Sequence, residues 1–99
     1  MSSLLEEILI RREVARLGRE IAVLEEELRE LEEALKLVEE GRARSIYRVF
    51  GSFVAIELDP SRARELIEDR IALVRSALAG LRKRVEELES RLRSLNSSS

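Results

Sequence analysis

The side chains in this sequence that could do chemistry are almost all carboxylates and guanidinium groups: Asp and Glu number 20 and Lys and Arg 18 in 99 residues, for a net charge of -2. Paired carboxylates are the material of general acid–base catalysis, but that work needs a pocket and a perturbed pKa. The glutamates here fall on the polar faces of helical patterns, where they are expected to keep ordinary pKa values, so no catalytic residue is assigned. His and Cys are both absent. This removes imidazole acid–base chemistry, thiol nucleophiles, disulfides and the usual zinc ligand sets, and it argues against an enzyme and against a metal site. None of the 4 glycines opens a Gly-Lys-Ser/Thr phosphate loop, which excludes ATP hydrolysis and leaves no cofactor to assign. Arg11, Arg12, Arg16 and Arg19, and separately Arg82, Lys83 and Arg84, could form a nucleic-acid stripe. Glutamates interleave with them and no aromatic residue stands beside them, so ion pairing within the helices is expected, with no nucleic-acid partner. A nucleic-acid-binding dimer would bind with a steep salt dependence that this mixed pattern does not suggest.

The elements that carry these charges are set by apolar spacing. Ile10, Val14, Leu17, Ile21, Leu24, Leu28, Leu31, Leu35 and Val38 form one ladder of alternating three- and four-residue steps, and Ile67, Ile71, Val74, Leu78, Leu81, Val85, Leu88, Leu92 and Leu95 form a second. Laid antiparallel, Val38 faces Ile67, Leu24 faces Leu81 and Ile10 faces Leu95. The fold class predicted is mainly α: a long antiparallel two-helix coiled coil within a single domain, 1–99, and elongated. Helix one is predicted over 3–41. Ser3 is its N-cap, Glu6 closes a capping box, and Gly41 takes the left-handed closing position. Helix two is predicted over 59–96, with Asp59 as N-cap and Pro60 in the first helical position, followed by a frayed tail, 97–99. Gly18 and Gly80 interrupt the helix interiors and read either as points of flexing or close approach or as plain tolerance.

The connector, 45–58, changes character: β-branched residues concentrate there with every Phe and Tyr of the chain. A β-hairpin turning at Gly51-Ser52 as type II′ would pair Phe50 with Phe53, Val49 with Val54, Arg48 with Ala55 and Tyr47 with Ile56. One face would then hold Tyr47, Val49, Val54, Ile56 and Leu58; the other would hold Ile46, Phe50, Phe53 and Ala55 beside Arg48 and Glu57. A lone hairpin is marginal in water, and two mostly apolar faces ask for partners, so the hairpin is read as an oligomerisation element.

With these residues in place, the chain resembles a known family. A helix, one hairpin reading Tyr47-Arg48-Val49-Phe50-Gly51-Ser52-Phe53-Val54, and a second helix of comparable length look like the β-class subunit of prefoldin. The resemblance implies an ATP-independent holding chaperone, a hexamer of two α-class and four β-class subunits whose hairpins join in an oligomeric β-barrel platform. It further implies coiled-coil tips that hold unfolded protein clients for delivery to a group II chaperonin. Ile46, Tyr47, Val49, Phe50, Phe53, Val54, Ile56 and Leu58 would then be platform residues. The chain departs from the family in being short, with a reduced segment between helix one and the hairpin and a short C-terminal tail. This bears on client range and chaperonin docking.

The candidate client surface is the N-terminal tip. Stepping the ladder back from Ile10 lands on Glu7, so Leu4, Leu5, Ile8 and Leu9 spread over more of the helix than one partner can bury, and the opposing end supplies Leu92 and Leu95. Two readings stand: a surface that binds unfolded chains by apolar burial with low specificity, or leucines packed on a neighbouring copy. The alternative to a holding chaperone is a structural, scaffolding coiled coil that self-associates without clients. No apolar run approaches membrane-spanning length and no secretion signal is legible, so a cytoplasmic protein with no membrane partner is expected. The rich Arg and Glu content, with Gln and Thr missing, is a balance shared with heat-adapted proteins.

Overall fold

The structure, a computed structural model, describes residues 2–41, 47–50 and 54–97. Helix α1 runs Ser2–Glu39, strands β1 and β2 run Tyr47–Phe50 and Val54–Glu57, and helix α2 runs Pro60–Ser97. Both helices follow from their ladders, and every one of the ladder residues is buried or half-buried. A stripe repeating every three to four residues stays on one side of a 3.6-residue helix, so burying it fixes how each helix is rotated.

The helix ends show how local chemistry stops and starts the backbone. At the close of α1, Gly41 adopts φ +67° and its N–H donates to the Val38 carbonyl at 3.1 Å, the left-handed closure that glycine adopts without strain. At the start of α2 the Arg62 N–H donates to Asp59 Oδ1 at 2.9 Å. The Ala63 N–H donates to the Asp59 carbonyl at 3.0 Å, so Asp59 is an N-cap with Pro60 just inside it. The opening of α1 differs from the capping box expected there. The helix already includes Ser2 and Ser3, and Glu6 turns to Arg91 instead of back to the Ser3 amide. A charged partner outcompetes a neutral backbone donor for the carboxylate.

The chain divides into two compact units, one of Met1–Glu26 with Arg75–Ser99 and one of Glu27–Val74. In the first, Ile10, Leu17 and Leu88 form a buried cluster with Val14, Leu81, Val85, Leu92 and Leu95 packed against it. The Arg91 guanidinium donates through Nε to Glu6 Oε1 at 2.7 Å and through Nη2 to the same oxygen, and Arg82 meets Glu25 at 3.5 Å. In the second, Ala63, Ile71 and Val74 are buried. There Arg70 grips Glu27 with Nε to Oε1 at 3.1 Å and Nη2 to both oxygens at 2.7 and 2.9 Å. Among the described residues no polar or charged residue is buried. These cores are therefore purely apolar, with ion pairs along their margins.

The second unit also contains the strand pair. β1 and β2 are antiparallel with Tyr47 opposite Glu57, Arg48 opposite Ile56, Val49 opposite Ala55 and Phe50 opposite Val54. The register expected from a two-residue turn is corrected by one position, and three residues, 51–53, separate the paired ends. Opposed residues in an antiparallel pair share a face. The expected opposition of Tyr47 with Ile56 and of Val49 with Val54 is accordingly replaced by Tyr47 opposite Glu57 and Val49 opposite Ala55. The physical reason lies in the composition: strands apolar on both faces lack the in–out alternation that pins a register. Phe53 and Ile46 lie outside the described residues, as does the turn at Gly51-Ser52; Leu58, just past β2, is half-buried.

Candidate functional site

The feature that a packed helix pair does not explain is the start of α1. Leu4, Leu5, Ile8 and Leu9 are 63, 60, 44 and 54 % exposed, although they sit on a regular helix immediately before the stretch whose ladder residues Ile10, Val14 and Leu17 are buried or half-buried. At roughly 100° per residue the four cover about 140° of the helix, centred on the side away from Ile10, Val14 and Leu17. They are therefore turned outward, and no neighbour among the described residues covers them.

The structure separates the six expected tip residues into two groups. Leu4, Leu5, Ile8 and Leu9 form the outward apolar surface. Leu92 and Leu95 do not join it: they are half-buried against the Ile10, Leu17 and Leu88 cluster, because both lie on the ladder that faces the partner helix. The outward apolar surface is thus confined to α1.

The charges around the tip are sorted more sharply than their order in the sequence suggests. Glu6, Glu7 and Glu13 are half-buried beside the seam. Glu6 binds Arg91, Glu7 accepts from Arg11 Nε at 3.2 Å and Nη2 at 3.0 Å, and Glu13 accepts from Arg16 Nε at 3.1 Å. The hydrogen bond from Arg16 holds the Glu13 carboxyl below the usual carboxylate range, and the same bond holds the Arg16 guanidinium above its own ordinary value. Glu13 thereby departs from the ordinary behaviour expected of surface glutamates, since a charge-assisted bond favours the ionised form of both partners. Arg16 also approaches Glu20 at 3.5 Å.

Beyond the tip a shallow groove of about 660 Å³ opens on the first unit, lined by Val23, Leu24, Ala77, Gly80 and Leu81 and rimmed by Arg19 and Glu20. Val23 is 68 % exposed. A Cβ on Gly80 or on Gly18 would meet nothing within 4 Å, so neither glycine serves a close approach. Sequence reasoning missed this groove. Its signal was the pairing of Val23, one residue off the ladder, with the small residues Ala77 and Gly80.

Among the described residues no group of three or more His, Cys, Asp or Glu side chains is arranged to hold a metal ion. No described helix is long and apolar enough to cross a membrane. No protein-family model, no curated protein and no solved structure matches the chain.

Proposed function

We infer that this chain is a prefoldin β-type subunit: an ATP-independent holding chaperone of the cytosol that binds non-native proteins at the tip of α1. The observation that carries the reading is the outward stripe of Leu4, Leu5, Ile8 and Leu9, 44 to 63 % exposed and grouped at one helix end, whereas the other exposed large apolar residues, Val23, Leu37 and Leu73, stand singly. Such a surface gains free energy from any apolar partner at about 25 cal/mol per Å² and asks for no particular sequence. Support also comes from the order of elements, two helices of 38 residues each on either side of a short antiparallel strand pair, and from the Tyr47 to Val54 pattern that resembles the family.

In this reading β1 and β2 join the strands of further β copies and of an α-class subunit in a β-barrel platform, leaving the α1 tips for clients. Release to a group II chaperonin is driven by competition for the client, not by a nucleotide cycle. A two-stranded sheet with both edges open gains most from such an assembly, because its edge N–H and C=O groups are otherwise met by water.

The test has two stages. Light scattering on the purified chain, alone and mixed with an α-class prefoldin subunit, is expected to give a hexamer-sized particle only in the mixture. That particle is expected to suppress aggregation of a denatured client, and Leu5→Ser with Ile8→Ser to abolish the suppression while the hexamer persists. A monomer or dimer indifferent to the partner would sink the assignment and favour a scaffolding coiled coil.

A further inference from the structure

The outward face of α1 changes chemistry along its length. After the apolar stretch from Leu4 to Leu9 come Arg12 and Arg19, both exposed, and after them Val23 at the edge of the groove. Among the described residues neither Arg12 nor Arg19 has an ion-pair or hydrogen-bond partner, in contrast to Arg11 and Arg16, which Glu7 and Glu13 hold. Of the glutamates that interleave with these arginines, Glu13 is half-buried and held by Arg16, and Glu20, though exposed, lies 3.5 Å from Arg16. An outward strip results in which apolar residues lead directly to two free positive charges with no carboxylate between them.

We propose that this strip selects its clients: it binds non-native segments in which an apolar anchor is followed closely by carboxylates. The inference rests on the reading of the α1 tip as the client surface and adds the class of segment held there. Spacing makes the pattern specific. From Ile8 to Arg12 the helix rises about 6 Å and from Arg12 to Arg19 a further 10 Å or so, while an extended chain advances about 3.3 Å per residue. An extended client lying along α1 therefore meets Arg12 about two residues beyond its apolar anchor and Arg19 about three residues after that.

An extended polypeptide fits this face better than a lipid surface does. Helices that lie in a bilayer interface carry a continuous apolar face along their axis with basic residues on the opposite face. Here apolar and basic groups succeed one another along a single face, which is the order a linear ligand can match.

The experiment uses the purified chain of 99 residues and two synthetic peptides that share one Leu-Val-Leu anchor. One carries Glu and the other Lys at the second and fifth positions beyond the anchor, with binding read by fluorescence anisotropy. The Glu peptide is expected to bind about tenfold more tightly than the Lys peptide, the sum of two exposed attractions against two repulsions. The preference should fade toward 1 M salt, where the Debye length falls to about 3 Å. Arg12→Gln with Arg19→Gln should erase the preference and leave the apolar part of the binding in place. Equal binding of the two peptides, lost in the Leu5→Ser, Ile8→Ser variant, would overturn charge selection while leaving the client surface intact. Binding of neither peptide would overturn the selection and the client surface together. Co-sedimentation with phosphatidylserine vesicles in the absence of peptide binding would also overturn the proposal and make the strip a lipid contact.

Discussion

Two leucine-rich stretches in the same unit meet opposite fates. Leu88, Leu92 and Leu95 on α2 are buried or half-buried in the apolar cluster, whereas Leu4, Leu5, Ile8 and Leu9 on α1 stand in water. Composition and helix propensity are alike in the two. The difference is phase: Leu88, Leu92 and Leu95 keep the three–four rhythm of their ladder, and the first stretch falls on the turns between, where Glu7 holds the ladder position. A leucine enters a core only when the spacing that carries it also faces a partner. When a run of leucines defies that rule, the surface it leaves is the place to look for a binding function.

This contrast can be broken most directly by truncation. Leu17→Ala, at a site 3 % exposed, is expected to cost about 2–5 kcal/mol in urea unfolding followed by circular dichroism. Leu5→Ser is expected to stay within about 0.5 kcal/mol of the parent. Comparable losses at both sites would mean that the tip is packed after all. The helix ends sharpen the same contrast between local and long-range control. Gly41→Ala should cost about 1–2 kcal/mol although open space surrounds the position, because only the positive φ resists a side chain there. Asp59→Ala should cost about 1 kcal/mol by freeing the Arg62 amide. Gly80→Ala is expected to act the other way and raise stability by as much as about 1 kcal/mol, since its Cβ meets nothing within 4 Å and alanine favours the helix. A loss there would reveal an unseen neighbour in the groove.

The smallest effect concerns charge. The Glu13 carboxyl titrates below its ordinary value because Arg16 donates to it, so its contribution is present above the unfolded pKa and is lost as pH falls through the lower folded one. Carboxyl NMR should find the Glu13 midpoint lowered in the parent and returned toward the ordinary range in Arg16→Gln. An unchanged midpoint would remove the pair as a feature of the solution state.

Much of the helical framework was legible beforehand for a simple reason: helix periodicity and end signals are local. The residues from Ile10 to Val38 and from Ile67 to Leu95 that keep the rhythm are the ones withdrawn from water, and Asp59, Pro60 and Gly41 mark helix ends by chemistry reaching only three or four residues. Ala63 escaped notice although it is 1 % exposed; it continues the second ladder one turn before Ile67, but alanine is too small to stand out in an apolar pattern. The strand register escaped as well, because residues apolar on both faces fit either pairing. Of the candidate site, the exposed position of Leu4, Leu5, Ile8 and Leu9 was legible from the broken ladder, whereas Leu92 and Leu95 counted both as seam and as tip, and the structure packs them in the seam.

What the sequence alone determined is the set of elements and the stripe each must bury, since both follow from residue spacing along one helix. Tertiary structure decided which charges meet. Glu6 with Arg91, Glu25 with Arg82 and Glu27 with Arg70 join residues far apart in the chain. Arg12 and Arg19, beyond the outward leucines, take part in none of these pairs, and the glutamates next to them, Glu13 and Glu20, meet Arg16. A charge pattern that averages to neutral when read in one dimension becomes sorted by face once two helices come together, because an ion pair depends on distance in space and not on separation in sequence.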